Sequence, residues 1–207
     1  GKALAETKLG DHEISLLQAV KLKMTMDTLK AQSQERLENL AGFAIRDAKG
    51  NDVFFDIPGK IGSLDRTEYL DNLYKSITAD IEGNEAAKAY MDAASEMFAY
   101  ISPLLQSEMS KVNGYEKQMY NKGEYVPVSY ASKDGLKSND WELVKEVEGI
   151  QASSVAQERT RSYGGYAVIN PISQAVDAYI SQASNYIAFA DFGNQLNILG
   201  NKTAING

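Results

Sequence analysis

The chain contains no cysteine and a single histidine, His12. The first absence removes cysteine nucleophiles, thiolate metal sites and disulfides together. The second confines imidazole chemistry to one residue. Position 16, where a zinc-protease helix would need its second histidine, is Leu16, so His12 reads as an ordinary surface residue near a helix start. No Gly-x-Ser-x-Gly turn is present to make a serine nucleophile. Glycine-rich phosphate cradles are missing too: Gly59-Lys60-Ile61-Gly62 has the wrong spacing and no Ser or Thr after its Gly-Lys pair. No apolar run approaches the roughly 18 residues of a membrane span. Cations are in the minority, 21 Lys and Arg against 28 Asp and Glu, for a net charge of −7. Phosphate recognition needs clustered Lys and Arg, so neither nucleic acid nor an anionic membrane is an expected partner.

What is present is an ordinary globular composition, 43% hydrophobic and 24% charged over 207 residues. A chain of this size buries roughly 70% of its unfolded surface without a disulfide or metal staple. One domain over 1–207 is expected, with a smaller irregular or hairpin subregion at about 113–149. The chain opens at Gly1 with no hydrophobic signal segment, the expectation for a processed or trimmed chain. Lack of cysteine suits a periplasmic or cell-surface setting, where stray thiols oxidise.

With only four prolines, helices can run long. Residues 11–44 carry an apolar stripe of helical spacing, Leu22, Met26, Leu29, Leu37 and Leu40, with Asp11 as N-cap and Gly42 as stop. From Phe43 to Phe55, two short β-type runs flank a Gly50-Asn51 turn and predict a hairpin ended by Pro58-Gly59. Asp65 and Glu68, three apart, read as a capping box for an amphipathic helix through Tyr69, Leu70, Leu73, Tyr74 and Ile77. A second long helix is predicted over 85–112, with Ala87, Tyr90, Met91, Ala94, Phe98, Ile101, Leu105 and Met109 on one face. Within it Ser102-Pro103 either restarts or kinks the helix. Residues 113–149 are the least helical; Tyr125–Tyr130 and Trp141–Val147 allow a second hairpin, with Pro127 on an edge. Further helices are predicted over 150–161 and 172–192, with a fraying tail from Gly193. The fold class is thus mainly α: an elongated bundle with two long helices and a small appendage of one or two hairpins.

Residues 42–70 resemble the opening of Cache-type extracytoplasmic sensory domains. The likeness rests on the Asp47-Ala48-Lys49-Gly50 turn in the hairpin, the loop through Gly59-Lys60-Ile61-Gly62, and Asp65-Arg66-Thr67-Glu68-Tyr69 at the helix start, all after a long helix. Trp141-Glu142-Leu143-Val144 is similar to a late strand in such domains. The resemblance implies a sensory module of a bacterial receptor. The helix over 85–112 departs from it, since that family carries strands there.

Asp47, Asn51, Asp52 and Asp56 crowd the hairpin but lack the alternating oxygen pattern of a calcium loop, so turn chemistry is the reading and no metal is expected. The distinctive feature is tyrosine, 12 in all, clustered at Tyr115, Tyr120, Tyr125, Tyr130, Tyr163 and Tyr166. A flat apolar ring with a hydroxyl suits small-molecule pockets and protein interfaces. The candidate ligand-binding residues are therefore Tyr115, Tyr125, Tyr130 and Trp141, with packing beneath a long loop as the plainer alternative. No catalytic residue and no cofactor is expected. The functional expectation is a non-enzymatic extracytoplasmic binding or sensory domain for a small ligand or protein partner. Alternatives are a structural component of a bacterial secretion, pilus or adhesion apparatus, homo-oligomeric through its long helices, and a carboxylate-dependent hydrolase.

Overall fold

The computed structural model describes residues 8–10, 12–46, 52–113, 126–131 and 165–205. Its elements run β1 (Lys8–Leu9), β2 (His12–Glu13), α1 (Leu16–Gln32), α2 (Gln34–Glu38), β3 (Gly42–Arg46), β4 (Asp52–Asp56), α3 (Leu64–Glu82), α4 (Glu85–Asn113), β5 (Tyr130–Ala131), β6 (Tyr166–Ile169) and α5 (Ile172–Ile205). Over the described residues the fold is mainly helical, with two small sheets.

The stretch predicted as one helix over 11–44 is divided. It starts at Ser15, not Asp11: the Ser15 hydroxyl accepts from the Gln18 backbone N–H while the Gln18 side chain accepts from the Ser15 N–H. That reciprocal pair satisfies two of the amides a helix start leaves unpaired. It stops at Ser33, whose backbone is extended (φ −173°, ψ 138°) and whose hydroxyl accepts from Glu35 N–H to open α2. Serine offers the backbone this local alternative, which apolar spacing does not report. Gly42 then opens a strand rather than ending a helix.

β3 and β4 form the predicted antiparallel hairpin, Phe43 opposite Phe55. The hairpin does not stand apart. β3 also pairs in parallel with β6, Gly42 opposite Tyr166, and β6 pairs antiparallel with β5, giving the order β4-β3-β6-β5. Alternation along the strands separates two faces. Phe43, Ile45, Ala167 and Ile169, with the half-buried Val53 and Phe55, join the main core; Ala44, Tyr166, Val168 and Ala131 form a smaller buried set with Phe54. Gly42 is dictated by close approach: a Cβ there would lie 1.7 Å from the Phe55 carbonyl oxygen.

α1 is the centre of the molecule and packs against α3, α4, α5 and β6. Leu22, Met24, Met26 and Leu29 are fully buried, each such side chain contributing roughly 1.5–3 kcal/mol of transfer free energy. α3 is capped by Ser63, two residues before the predicted Asp65; its hydroxyl accepts from Arg66 N–H. α4 is continuous through Pro103 over 29 residues, and α5 runs 34 residues, past Gly193 to Ile205. The predicted helix over 150–161 and the Trp141–Val147 strand lie outside the described residues.

Candidate functional site

Of the four tyrosine and tryptophan candidates, Tyr115, Tyr125 and Trp141 lie outside the described residues. Tyr130 is in β5, half-buried and packed against the main core. The neighbouring Tyr166 is buried; its ring meets Phe54 edge-on at 5.0 Å, and its hydroxyl donates to Asp56. His12 is an exposed strand residue, its ring edge-on to Phe55 at 5.4 Å.

Among the described residues, buried polar side chains gather on α1, in two tracks. Along one, Gln18, Lys21, Thr25 and Thr28 recur at helical spacing and all are buried. This track meets the extended segment 126–129: Lys21 Nζ donates to the Pro127 carbonyl, and Thr28 Oγ1 accepts from Val126 N–H at 3.0 Å. From there the Ser129 carbonyl accepts from Val168 N–H at 2.8 Å, delivering the segment to the sheet edge. Burial pushes the Lys21 ammonium down to about 7. A buried ammonium is costly, and a lysine so placed becomes neutral amine within the physiological range. One turn further on, Thr25 Oγ1 is buried with no hydrogen-bond partner among the described residues.

The second track faces α3. Lys23 Nζ lies 2.6 Å from Asp27 Oδ2 and 2.9 Å from the Tyr74 hydroxyl, which itself donates to Asp27 Oδ1 at 2.7 Å. Lys30 caps the arrangement, its Nζ 4.0 Å from the Tyr74 ring centroid and 3.5 Å from Asp71. Burial alone would lower Lys23, but the bonds to Asp27 and Tyr74 together with Asp27's charge hold it above its ordinary value. Burial raises the Tyr74 phenol, and Asp27 adds to that. Three groups that satisfy one another in this way make a latch between α1 and α3.

Arg66 makes a third polar centre. Its guanidinium donates to the carbonyls of Glu38, Ile57, Gly59 and Leu40, tying the end of α2 and the start of β3 to the loop after β4. Five fixed donors suit this carbonyl cage, and the residue is buried. Among the described residues no group of three or more His, Asp or Glu is placed to hold a metal ion, and no helix is long and apolar enough to cross a membrane.

α4 bears two apolar rows. The inner row, Ala87, Ala94, Phe98 and Leu105 with half-buried Met91 and Ile101, faces the core. It pairs with α5, where the Phe98 and Tyr179 rings meet at 5.1 Å and Ser102 shares a hydrogen bond with Tyr179 at 3.2 Å. The outer row is Ala86, Tyr90, Ala93, Met97, Tyr100 and Leu104, stepping by four and three residues in the heptad manner of a coiled-coil seam. All are exposed except the half-buried Met97; Tyr100 is 73% exposed, Tyr90 49% and Leu104 47%. Tyr90, expected on the core face, thus belongs to the outer row. The spacing of this row was present in the sequence, masked by the stronger inner stripe one position along.

No protein-family model matches the chain, and no curated protein or solved structure matches it.

Proposed function

We propose that this chain is a non-enzymatic binding domain that receives a protein partner on the outer face of α4. The observation that carries this reading is the second heptad row, Ala86 to Leu104, exposed apart from Met97, which packs partly against the core, and lying beside a helix face that already fills that core. Soluble chains scatter single apolar side chains over their surfaces, but an aligned row of six over five turns matches the anchor spacing of helix-in-groove and coiled-coil recognition. The elongated arrangement of long helices expected from the sequence belongs to this proposal, as does an extracytoplasmic setting, which the cysteine-free composition supports. A structural role in a larger bacterial assembly draws on the same seam, and a sensory role for a Cache-like module would use it to transmit to a partner.

The test is selection of helical peptides from a displayed library against the full chain, with the double variant Tyr100→Ser, Leu104→Ser as counter-target. The wild-type chain should enrich amphipathic helices and the variant should not, while both melt at the same temperature. Equal enrichment by the two proteins would remove the seam from the binding surface.

A further inference from the structure

We infer that the helix received by α4 is basic, an amphipathic segment carrying Lys or Arg beside its apolar anchors; this rests on the seam being a binding surface.

The inference comes from what borders the seam. From Ala86 to Leu104 the row spans about 27 Å at 1.5 Å per residue, enough for five turns of a partner helix. One of its long sides is closed by the inner row, which is buried in the core. The other side is open to solvent, and there the first bordering positions are Ala89, Glu96 and Pro103, followed by Glu85, Asp92 and Ala99, all exposed. Every charged residue on that border is therefore an acid. Lys88, the one cation of α4 within this span, lies roughly 160° around the helix axis from the seam at 100° per residue, too far to contact a helix lying in it.

Bordering charges choose partners in helix pairs, because residues flanking the apolar seam meet their counterparts across it. A partner with acidic flanks would place carboxylates against Glu96 and Asp92. A second copy of this chain does the same: antiparallel self-pairing that matches Ala86 with Leu104 and Tyr90 with Tyr100 brings Glu96 opposite the same residue of the second copy. Like charges juxtaposed across an interface act against the pairing. Lys or Arg at those places would instead gain both attraction and coverage, since their aliphatic stems lie along apolar surface while the charged heads reach the acids. The net charge of −7 steers the approach of such a segment in the same sense. Pro103 lies at the far end of the seam, inside a helix that runs on to Asn113.

The experiment uses two synthetic helical peptides of about 18 residues, the length of the row, with identical Leu anchors, one flanked by Lys and the other by Glu. Binding to the full chain is read by fluorescence anisotropy at low and high salt, and self-association by sedimentation. The Lys peptide should bind at least about tenfold tighter, a difference that shrinks as salt screens it. The double variant Asp92→Lys, Glu96→Lys should reverse the order, and Tyr100→Ser, Leu104→Ser should weaken both peptides while leaving the melting temperature unchanged. Equal binding of the two peptides would overturn the basic partner and leave the seam as a binding surface. Failure of both peptides, with no effect of the Tyr100 and Leu104 changes on anything but the melting temperature, would overturn the surface itself. Concentration-dependent dimers abolished by those two changes would make a second copy the occupant and overturn the inference.

Discussion

Lys21 Nζ donates to the main-chain carbonyl of Pro127, a residue 106 positions away in the chain. A lysine buried in the core thereby joins Thr28, which accepts from Val126 N–H, in holding α1 to an extended segment bound for the sheet edge.

This contact makes stability depend on pH in a defined direction. Lys21 titrates near 7 in the fold and near 10.4 in an unfolded chain. Between those values the unfolded state binds the extra proton, so stability rises as pH rises from about 7 to about 10. Below about 7 both states are protonated and the penalty is constant; its full size is roughly 5 kcal/mol from the shift. Lys21→Met should flatten the urea midpoint across this window and raise it at pH 7. A midpoint with unchanged slope against pH would mean that the ammonium is not buried as described.

The latch on the other track has the opposite sign. Lys23 is held above its ordinary value by Asp27 and Tyr74 once its burial is offset. Its contribution is complete below the unfolded value near 10.4 and is lost as pH climbs through the folded one. Asp27→Asn leaves Lys23 without an anion, and the side chains of the pair are only 10% and 9% exposed. The expected cost is roughly 2–4 kcal/mol, near the lower part of the range for breaking a buried pair. Tyr74→Phe should cost less, about 1–2 kcal/mol, because the ion pair survives it. A double-mutant cycle between positions 27 and 74 should show coupling; additive losses would disprove the three-way arrangement.

Arg66 can be tested by its shape. Arg66→Lys keeps the charge but replaces a planar fork with a point donor, which cannot reach carbonyls of Glu38, Leu40, Ile57 and Gly59 together. Both Arg66→Lys and Arg66→Met should lower stability by about 3 kcal/mol or more, with Met worse, since each orphaned carbonyl carries a desolvation penalty. Near-wild-type stability of the Lys variant would show that charge, not geometry, matters there.

At Gly42 the constraint is space. The added methyl of Gly42→Ala meets the Phe55 carbonyl at 1.7 Å and the Tyr166 ring at 2.9 Å, so the hairpin and the parallel pairing must both shift. A loss of about 2–4 kcal/mol is expected from overpacking and broken ladder bonds, measured as a fall in melting temperature. A neutral effect would place β3 further from its neighbours than described.

How far the sequence could be read follows from where its pattern reflects burial. The β3–β4 hairpin was legible because a Gly-Asn turn separates two β-type runs. The α3 and α4 helices were legible because each has one dominant buried stripe. α1 was legible as a helix but not as the centre, since a helix covered on all sides has no contrasting face. Lys21, Lys23 and Thr25 carry no local sign of burial in the sequence, yet all three are buried. β6 left a clue: Tyr166-Ala167-Val168-Ile169 between Gly165 and Pro171 is a short continuous apolar run, the mark of a strand buried on both faces. Its parallel pairing with β3 has no local signature at all. The tyrosine cluster stands out by residue type, whereas the exposed row on α4 shows only at heptad spacing beside a stronger stripe.

The pairing of β3 with β6 has a consequence for synthesis on the ribosome. α1, the hairpin, α3 and α4 are all made before the strand that flanks β3. At about 5–20 residues per second, the roughly 120 residues between the two strands take on the order of ten seconds to emerge. Throughout that interval the nascent chain displays β3 with one rim of amides and carbonyls unclaimed. Such a rim can pair with another extended chain, so the newborn protein passes through a window of vulnerability that the finished one has closed.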